Sequence, residues 1–436
     1  VAVDASPGAG RVLIATGSGP LVAEPSWTRF DNLSACRCFG FDWNRGRQSE
    51  FDVTNTGTGR VYFHDRNDTF ASEDFIGLQV MLQLFDPVAE AWEPVFRGHI
   101  DDAHGNPDAG APELTNVQLD LVDIFDYLGG VKLVVGEMGD PLTTQDGIVF
   151  YEDGRVDDRL TALADDAGLD PDMYVHFTGN VNVNESQYDV DDDILSAMRD
   201  AADAEFPSGV AQVYVDRFGR EVFHGRFAKF DPDGTASGGA NWDFQRWEAA
   251  TRGDVGTTRA QIREFQYNRP RTRIVNSYVA WPEMDETGAT FDQALVATLT
   301  KTDAGSISSY GYRGREAPAL IIQDNFNNSN TGADECELFG EFYVANYAVP
   351  RKNIERVTFK SLAPSDDRAA ATWEVMTRAD ISDVIHLFVA EAGLSDEEFF
   401  IEGISGECRV ANPDYDMVTV TPNLSPAAYY TDNVFT

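Results

Sequence analysis

Apolar and polar residues alternate in short runs over the first quarter of the chain, the pattern of strands with one buried face. Residues 39–43 and 58–64 (TGRVYFH) alternate, and 77–85 sets Leu78, Val80, Leu82 and Leu84 on one face. Asp86-Pro87 breaks that strand, 92–100 forms the next, and 114–121 (LTNVQLDL) closes the set ahead of 122–128. An earlier strand, 11–15, stands in a Gly/Pro-rich arm over 1–35. Short strands at this spacing predict a small barrel or sandwich over 36–130.

After Gly129-Gly130 the period changes. Val156, Leu160, Leu163, Ala164 and Ala167 recur at helical spacing, with Gly168 as C-cap. A second helix is predicted over 191–204, with Ile194, Leu195, Met198 and Ala201 facing inward. A hairpin follows: 211–215, a turn at 216–219, then 220–226. Two helices and a hairpin make an α+β module over 131–230. Residues 231–260 read as an acidic, Gly-rich connection. Next comes an α/β module over 261–350, with strands at 274–281 and 319–322 and a helix at 332–348 that Pro350 ends. Strands at 354–361, 385–389, 399–405 and 417–421 follow over 351–436, a coarse recurrence of barrel-like strands, an α/β insert, then strands again. The expected fold class is therefore mainly β with α+β inserts and smaller α/β modules.

Composition narrows the class. The 436 residues include 28 Phe, 15 Tyr and 7 Trp, too many for a disordered chain and enough for two to four domains. Nothing approaches the roughly 18 continuous apolar residues of a membrane span, so no membrane anchor is expected. The start VAVDASPGAGRVLIATGSG lacks a secretory signal pattern. Net charge is −40, from 73 acidic against 33 basic residues, and only five of the latter are Lys. Such a surface opposes nonspecific binding to nucleic acid or anionic membrane. A halophilic host, or failing that a GC-rich codon bias, accounts for the acidity.

Candidate chemistry is sparse. Cys36 and Cys38 are too close for ordinary disulfide geometry and lie far from Cys336 and Cys408, so all four read as free thiols. His64 beside Asp65 reads as a strand-end histidine with a turn carboxylate. His99 and His104 flank Asp101-Asp102, but strand alternation splits such a set between faces. Asp231 and Asp233 are weak calcium candidates, since position 242 is Trp where an EF-hand needs Glu. The run 189–193 (DVDDD) suits the negative start of a helix. Trp43, Tyr62, Phe63, Trp92 and Phe96 read as packing residues. There is no GxSxG, Walker A or HExxH, so no cofactor and no enzymatic activity are expected.

Four blocks carry a family likeness. They are 46–68, with GRQSEFD and then TGTGRVYFHDRND; VFRGHIDD at 95–102; the helices and hairpin of 155–226; and FIEGISGECRVANPDYDMVTVTPNLSPA at 400–427. The chain resembles the baseplate hub, or tail-associated minor tail protein, of tailed viruses. The matching positions are Gly46, Arg47, Glu50, Asp52, Gly57, Arg66, Phe96, Gly98, Asp101, Glu402, Gly403, Ser425 and Pro426. The sequence stops soon after LSPA, so the resemblance is to a bare hub without a hydrolase extension.

The resemblance implies two hub-type β-barrel domains, over 36–130 and 351–436, and a homotrimeric ring at the tail tip of a virion, assembled in the host cytoplasm. Expected partners are the distal tail or tube ring protein, the end of the tape-measure protein and a central fibre or spike. Genome DNA would pass through without specific binding. The alternatives are a receptor- or glycan-binding tail protein and a glycan hydrolase, the latter needing two carboxylates at hydrolase spacing.

Overall fold

The computed structural model describes residues 10–16, 21–30, 36–65, 75–108, 111–133, 148–189, 191–207, 210–230, 245–251, 258–268, 271–282, 297–322, 332–350, 353–409 and 417–430. The first domain is built from β1 (Gly10–Ala15), β2 (Trp27–Arg29), β3 (Cys36–Gly46), β4 (Thr58–Asp65), β5 (Gln79–Asp86), β6 (Ala91–Asp108) and β7 (Ala111–Val122). They hydrogen-bond in the order β2-β1-β5-β6-β7-β4-β3. Three of the predicted core positions hold, since Val80, Leu82 and Leu84 are fully buried with Phe63 and Phe96 beside them, but Leu78 is half-buried and Gln79 and Gln83 are buried as well. At the break after β5, the Asp86 carboxylate accepts from the amides of Val88 and Ala89.

Past β7 the chain turns helical at α1 (Ile124–Gly130), capped by Asp123, whose side chain accepts from Phe125 N. The insert then brings α2 (Val156–Asp166), α3 (Ile194–Glu205), the antiparallel hairpin β8 (Gln212–Val215) and β9 (Glu221–His224), and the single turn α4 (Phe227–Phe230). Asp193 caps α3 by accepting from Ser196 N, which gives the DVDDD run its structural role.

The second barrel differs from the sequence reading. Its strands are β10 (Arg246–Ala250), β11 (Ala260–Asn268), β14 (Asn353–Lys360), β15 (Val384–Val389), β16 (Leu394–Arg409) and β17 (Met417–Pro426). Between β11 and β14 lie β12 (Ser277–Pro282), α5 (Ala304–Tyr310), β13 (Gly314–Leu320) and α6 (Gly332–Tyr347). The order β16-β15-β10-β11-β14-β17 closes when β17 pairs back with β16, giving a six-stranded barrel. Two of its strands thus come from 246–268, a stretch assigned above to a connection and an α/β module. β10 lies between parallel neighbours and has only five residues, with exposed Arg246 and Glu248 alternating with buried Trp247 and Ala249, too short a run to stand out in the Gly- and Asp-rich stretch around it. The helix α7 (Ala369–Arg378), which packs Trp373, Val375 and Met376 into the barrel core, was also missed. The strand expected at 319–322 instead runs Gly314–Leu320 as β13, with α5 before it.

Two large cores result among the described residues. One fills the first domain and the closed barrel and takes in α7. The other runs from α2 and α3 of the insert through Phe339, Phe342 and Tyr343 of α6 to Phe400, Tyr429 and Tyr430. The barrels are joined edge to edge, because β3 pairs antiparallel with β16 from Gly40 opposite Arg409 to Gly46 opposite Gly403. A continuous thirteen-strand sheet therefore crosses from one domain to the other.

Candidate functional site

Where β3 leaves the shared sheet, the chain must turn sharply. Gly46 does so with φ +78°, and a Cβ there would sit 2.6 Å from the Glu402 carbonyl oxygen. Arg47 N then donates to that same oxygen at 3.0 Å. On the other side, β16 carries a bulge between Ile401 and Gly403, which sets Glu402 out of register with β17. Gly403 allows the close approach, since a Cβ there would meet Arg47 O at 2.4 Å.

Glu402 receives four donors. Arg47 donates to Oε2 from Nε at 2.8 Å and also from Nη2. Lys229 Nζ, from α4 of the insert, donates to Oε1 at 2.5 Å, and Ser425 Oγ of β17 donates to the same atom. Glu402, Arg47, Lys229 and Ser425 are all buried. Burial alone would raise the Glu402 carboxyl, but Arg47 and Lys229 hold it down at about 2. Burial also pulls the Lys229 ammonium down to about 8, against the opposing pull of Glu402. The rings of Tyr430 and Phe400 lie 5.4 and 5.6 Å from Lys229 Nζ.

A second ring of charge adjoins the first. Buried Glu50 faces Arg273 at 3.4 Å, and Arg273 reaches Glu355 at 3.3 Å. Burial pushes the Glu50 carboxyl up, with Arg273 opposing. Groups from the turn after β3, the insert, the segment before β12, β14, β16 and β17 thus meet at one point. Every Glu402 oxygen is taken and the cluster is sealed from solvent, so its chemistry is that of a staple between modules.

The remaining motif residues are distributed around this point. Asp52 is exposed and accepts from Ser49 Oγ at 2.9 Å, while Arg47 Nη1 donates to its carbonyl at 3.4 Å. Gly57 and Gly98 form a separate junction at the end of β7. Gly57 N donates to the Asp123 carboxylate at 2.7 Å, and a Cβ on Gly98 would overlap Val122 O at 2.1 Å. Phe96 is core, Asp101 is exposed, and Pro426 ends β17 opposite Phe399. Arg66, Asp231 and Asp233 lie outside the described residues. Sequence reasoning missed Lys229 and Arg273. The only signal for Lys229 is that a chain with five lysines places one beside two phenylalanines, in FAKF.

The other candidates have local partners. His64 Nδ1 is bonded to Asn116 Oδ1 at 2.7 Å and stacks on Phe39. His104 sits by Asp120 and Asp102, whereas His99 faces Asp126 at 3.6 Å, so the two histidines diverge. Among the described residues no group of three or more His, Cys, Asp or Glu is placed to hold a metal. Cys38, Cys336 and Cys408 are buried. Trp43, Phe63 and Phe96 are buried, and Tyr62 and Trp92 are half-buried.

A cavity of about 460 Å³ between the hairpin β8–β9 and the second barrel brings Asp216, Asp380 and Asp383 together. Their oxygens are already engaged. Asp216 accepts from the amides of Phe218 and Arg220, and Asp380 from Arg45 and the amide of Arg217. Asp383 accepts from Trp247 Nε1 and the amides of Gln245 and Asp380. Burial raises Asp383 to about 7 in spite of these donors. The carboxylates tie backbone segments together, which is a structural use.

The paired barrels, the α+β insert and the stapled junction make up a fold that two solved tail proteins share. The protein superposes on the crystal structure of the tail protein from Neisseria meningitidis MC58 over 98% of both chains, with TM-score 0.53 and 11% sequence identity. The 43 kDa tail protein of prophage MuSo2 from Shewanella oneidensis matches 96% of this chain and 99% of its own, with TM-score 0.54 and 10% identity. At such identities the likeness is one of fold, and it spans whole chains. No family model and no curated protein matches the sequence.

Proposed function

We propose that the protein is a structural subunit of a virion tail, the hub ring that joins the end of the tail tube to a central fibre or spike. The observation that carries this reading is the continuous sheet joining two barrels in one chain, stapled at Glu402, within a fold matched over nearly the full length of two tail proteins. A ring of three such chains presents six barrels to a six-fold tube and a three-fold axis to a spike. Burying the junction charges fixes how the barrels sit relative to each other, which a load-transmitting ring requires. A net charge of −40 suits a lumen that DNA crosses without sticking. Electron microscopy of the purified chain at molar salt tests the proposal. Three-fold rings with an open centre are expected, and isolated globular particles at all concentrations would overturn it.

A further inference from the structure

In a chain with 73 acidic and 33 basic residues, an unpaired arginine is conspicuous. Among the described residues, two arginines without a carboxylate partner lie together on a rim beside the second barrel. Exposed Arg271 donates from Nη2 to the Tyr310 carbonyl at 2.5 Å. Arg313 has a buried Nε with no acceptor. Hydrogen bonds and an ion pair hold these segments against the barrel. Asn276 accepts from Arg313 N and donates to Gly311 O, and Arg273, in the turn with Arg271, reaches Glu355 of β14.

Two further observations mark this rim. Tyr312 and Tyr267 are 69% and 54% exposed there. Asn353 is 3% exposed, yet neither its amide oxygen nor its nitrogen has a partner, and the Oδ1 of Asn268, directly across the sheet, lacks one too. A buried amide left unpaired costs about 1–3 kcal/mol, so a ligand that satisfies it gains affinity.

We infer that this rim, formed by Tyr267, Arg271, Tyr312, Arg313 and Asn353, is a docking surface for an acidic face of a second copy of the chain. The inference rests on the ring reading and names one of its contacts. Arginine and tyrosine without lysine is the composition of a protein interface centre. Guanidinium and amide N–H groups together recognise carboxylates, which every copy carries in excess. At molar salt the Debye length falls to about 3 Å, which removes the long-range repulsion between copies of charge −40 and leaves close pairs in place. Nucleic acid on the same rim would behave oppositely, binding at low salt and releasing as salt rises.

Sedimentation velocity on the full chain at 0.1 M and molar KCl tests this, with circular dichroism to verify folding. The charge-reversal pair Arg271→Glu with Arg313→Glu is compared with Tyr312→Ala, a change at an exposed side chain that leaves the fold intact. The expected result is association of the wild type at molar salt, weakened at least tenfold in both variants. If the wild type associates and both folded variants match it, this surface is wrong and the ring stands. A wild type that stays monomeric at both salts overturns the ring reading and this inference with it. Binding of a fluorescent DNA duplex at 0.1 M KCl that the reversal pair abolishes would assign the rim to nucleic acid and overturn the second copy as occupant.

Discussion

Arg47 and Glu402 stand 355 positions apart in the chain, and two guanidinium nitrogens of Arg47 donate to the one buried oxygen Oε2. Each residue is nearly inaccessible to solvent, and Lys229 and Ser425 complete the carboxylate's coordination. A buried ion pair adds little stability over an apolar replacement, but removing one partner leaves an uncompensated charge. Glu402→Gln keeps the volume and strands both Arg47 and Lys229. The expected loss is about 3–5 kcal/mol, read as a lower urea midpoint for the first unfolding transition.

The backbone at this junction is as restrictive as its charge. Gly403→Ala drives a methyl into Arg47 O, and Gly46→Ala adds a left-handed conformation to a clash with Glu402 O. Each is expected to cost about 1–3 kcal/mol. Gly130→Ala, where a Cβ meets nothing within 4 Å, should change stability by less than about 0.5 kcal/mol. Thermal melts of the three variants side by side check the ranking.

Stability should peak at mildly acid pH. Burial raises Asp123 and Asp383 to about 7, so the folded state holds their protons more tightly than the unfolded chain does. That contribution is complete below the unfolded value of 3.8 and is lost as pH rises through 7, at about 1.4 kcal/mol per pH unit for each group inside the window. Glu402 has the opposite sign. Held down at about 2, it stabilises above its unfolded value of 4.5 and stops doing so as pH falls through 2. Melting midpoints at fixed ionic strength should therefore rise from pH 8 toward about 5 and fall again below about 4.

The buried thiols should be silent in the folded protein. Burial pushes the Cys336 thiol up to about 12, and Cys38 and Cys408 are sealed in the barrel core. Mass spectrometry after treatment with a thiol reagent should find these three unlabelled until denaturant is added.

Strands with one wet face were legible in the sequence because their side chains record the burial. Val61 and Phe63 alternate with Arg60, Tyr62 and His64, and the helices bearing Leu160 and Met198 show their period. β10 was not legible, because its five residues are too few to establish a period, and β11 hides its own by burying its first three residues in a row. The junction was half legible. Gly46, Arg47, Glu402, Gly403 and Ser425 stand out as motif positions, and the structure brings them together. Lys229 and Arg273 have no local pattern, since each is defined by a carboxylate on a distant element, Glu402 for one and Glu50 for the other.

The central claim, a ring subunit, is tested most directly by the absolute mass of the purified chain in molar salt, measured by light scattering. The account predicts a single species at three times 48.0 kDa. A 48.0 kDa species that persists across concentration and salt would contradict it.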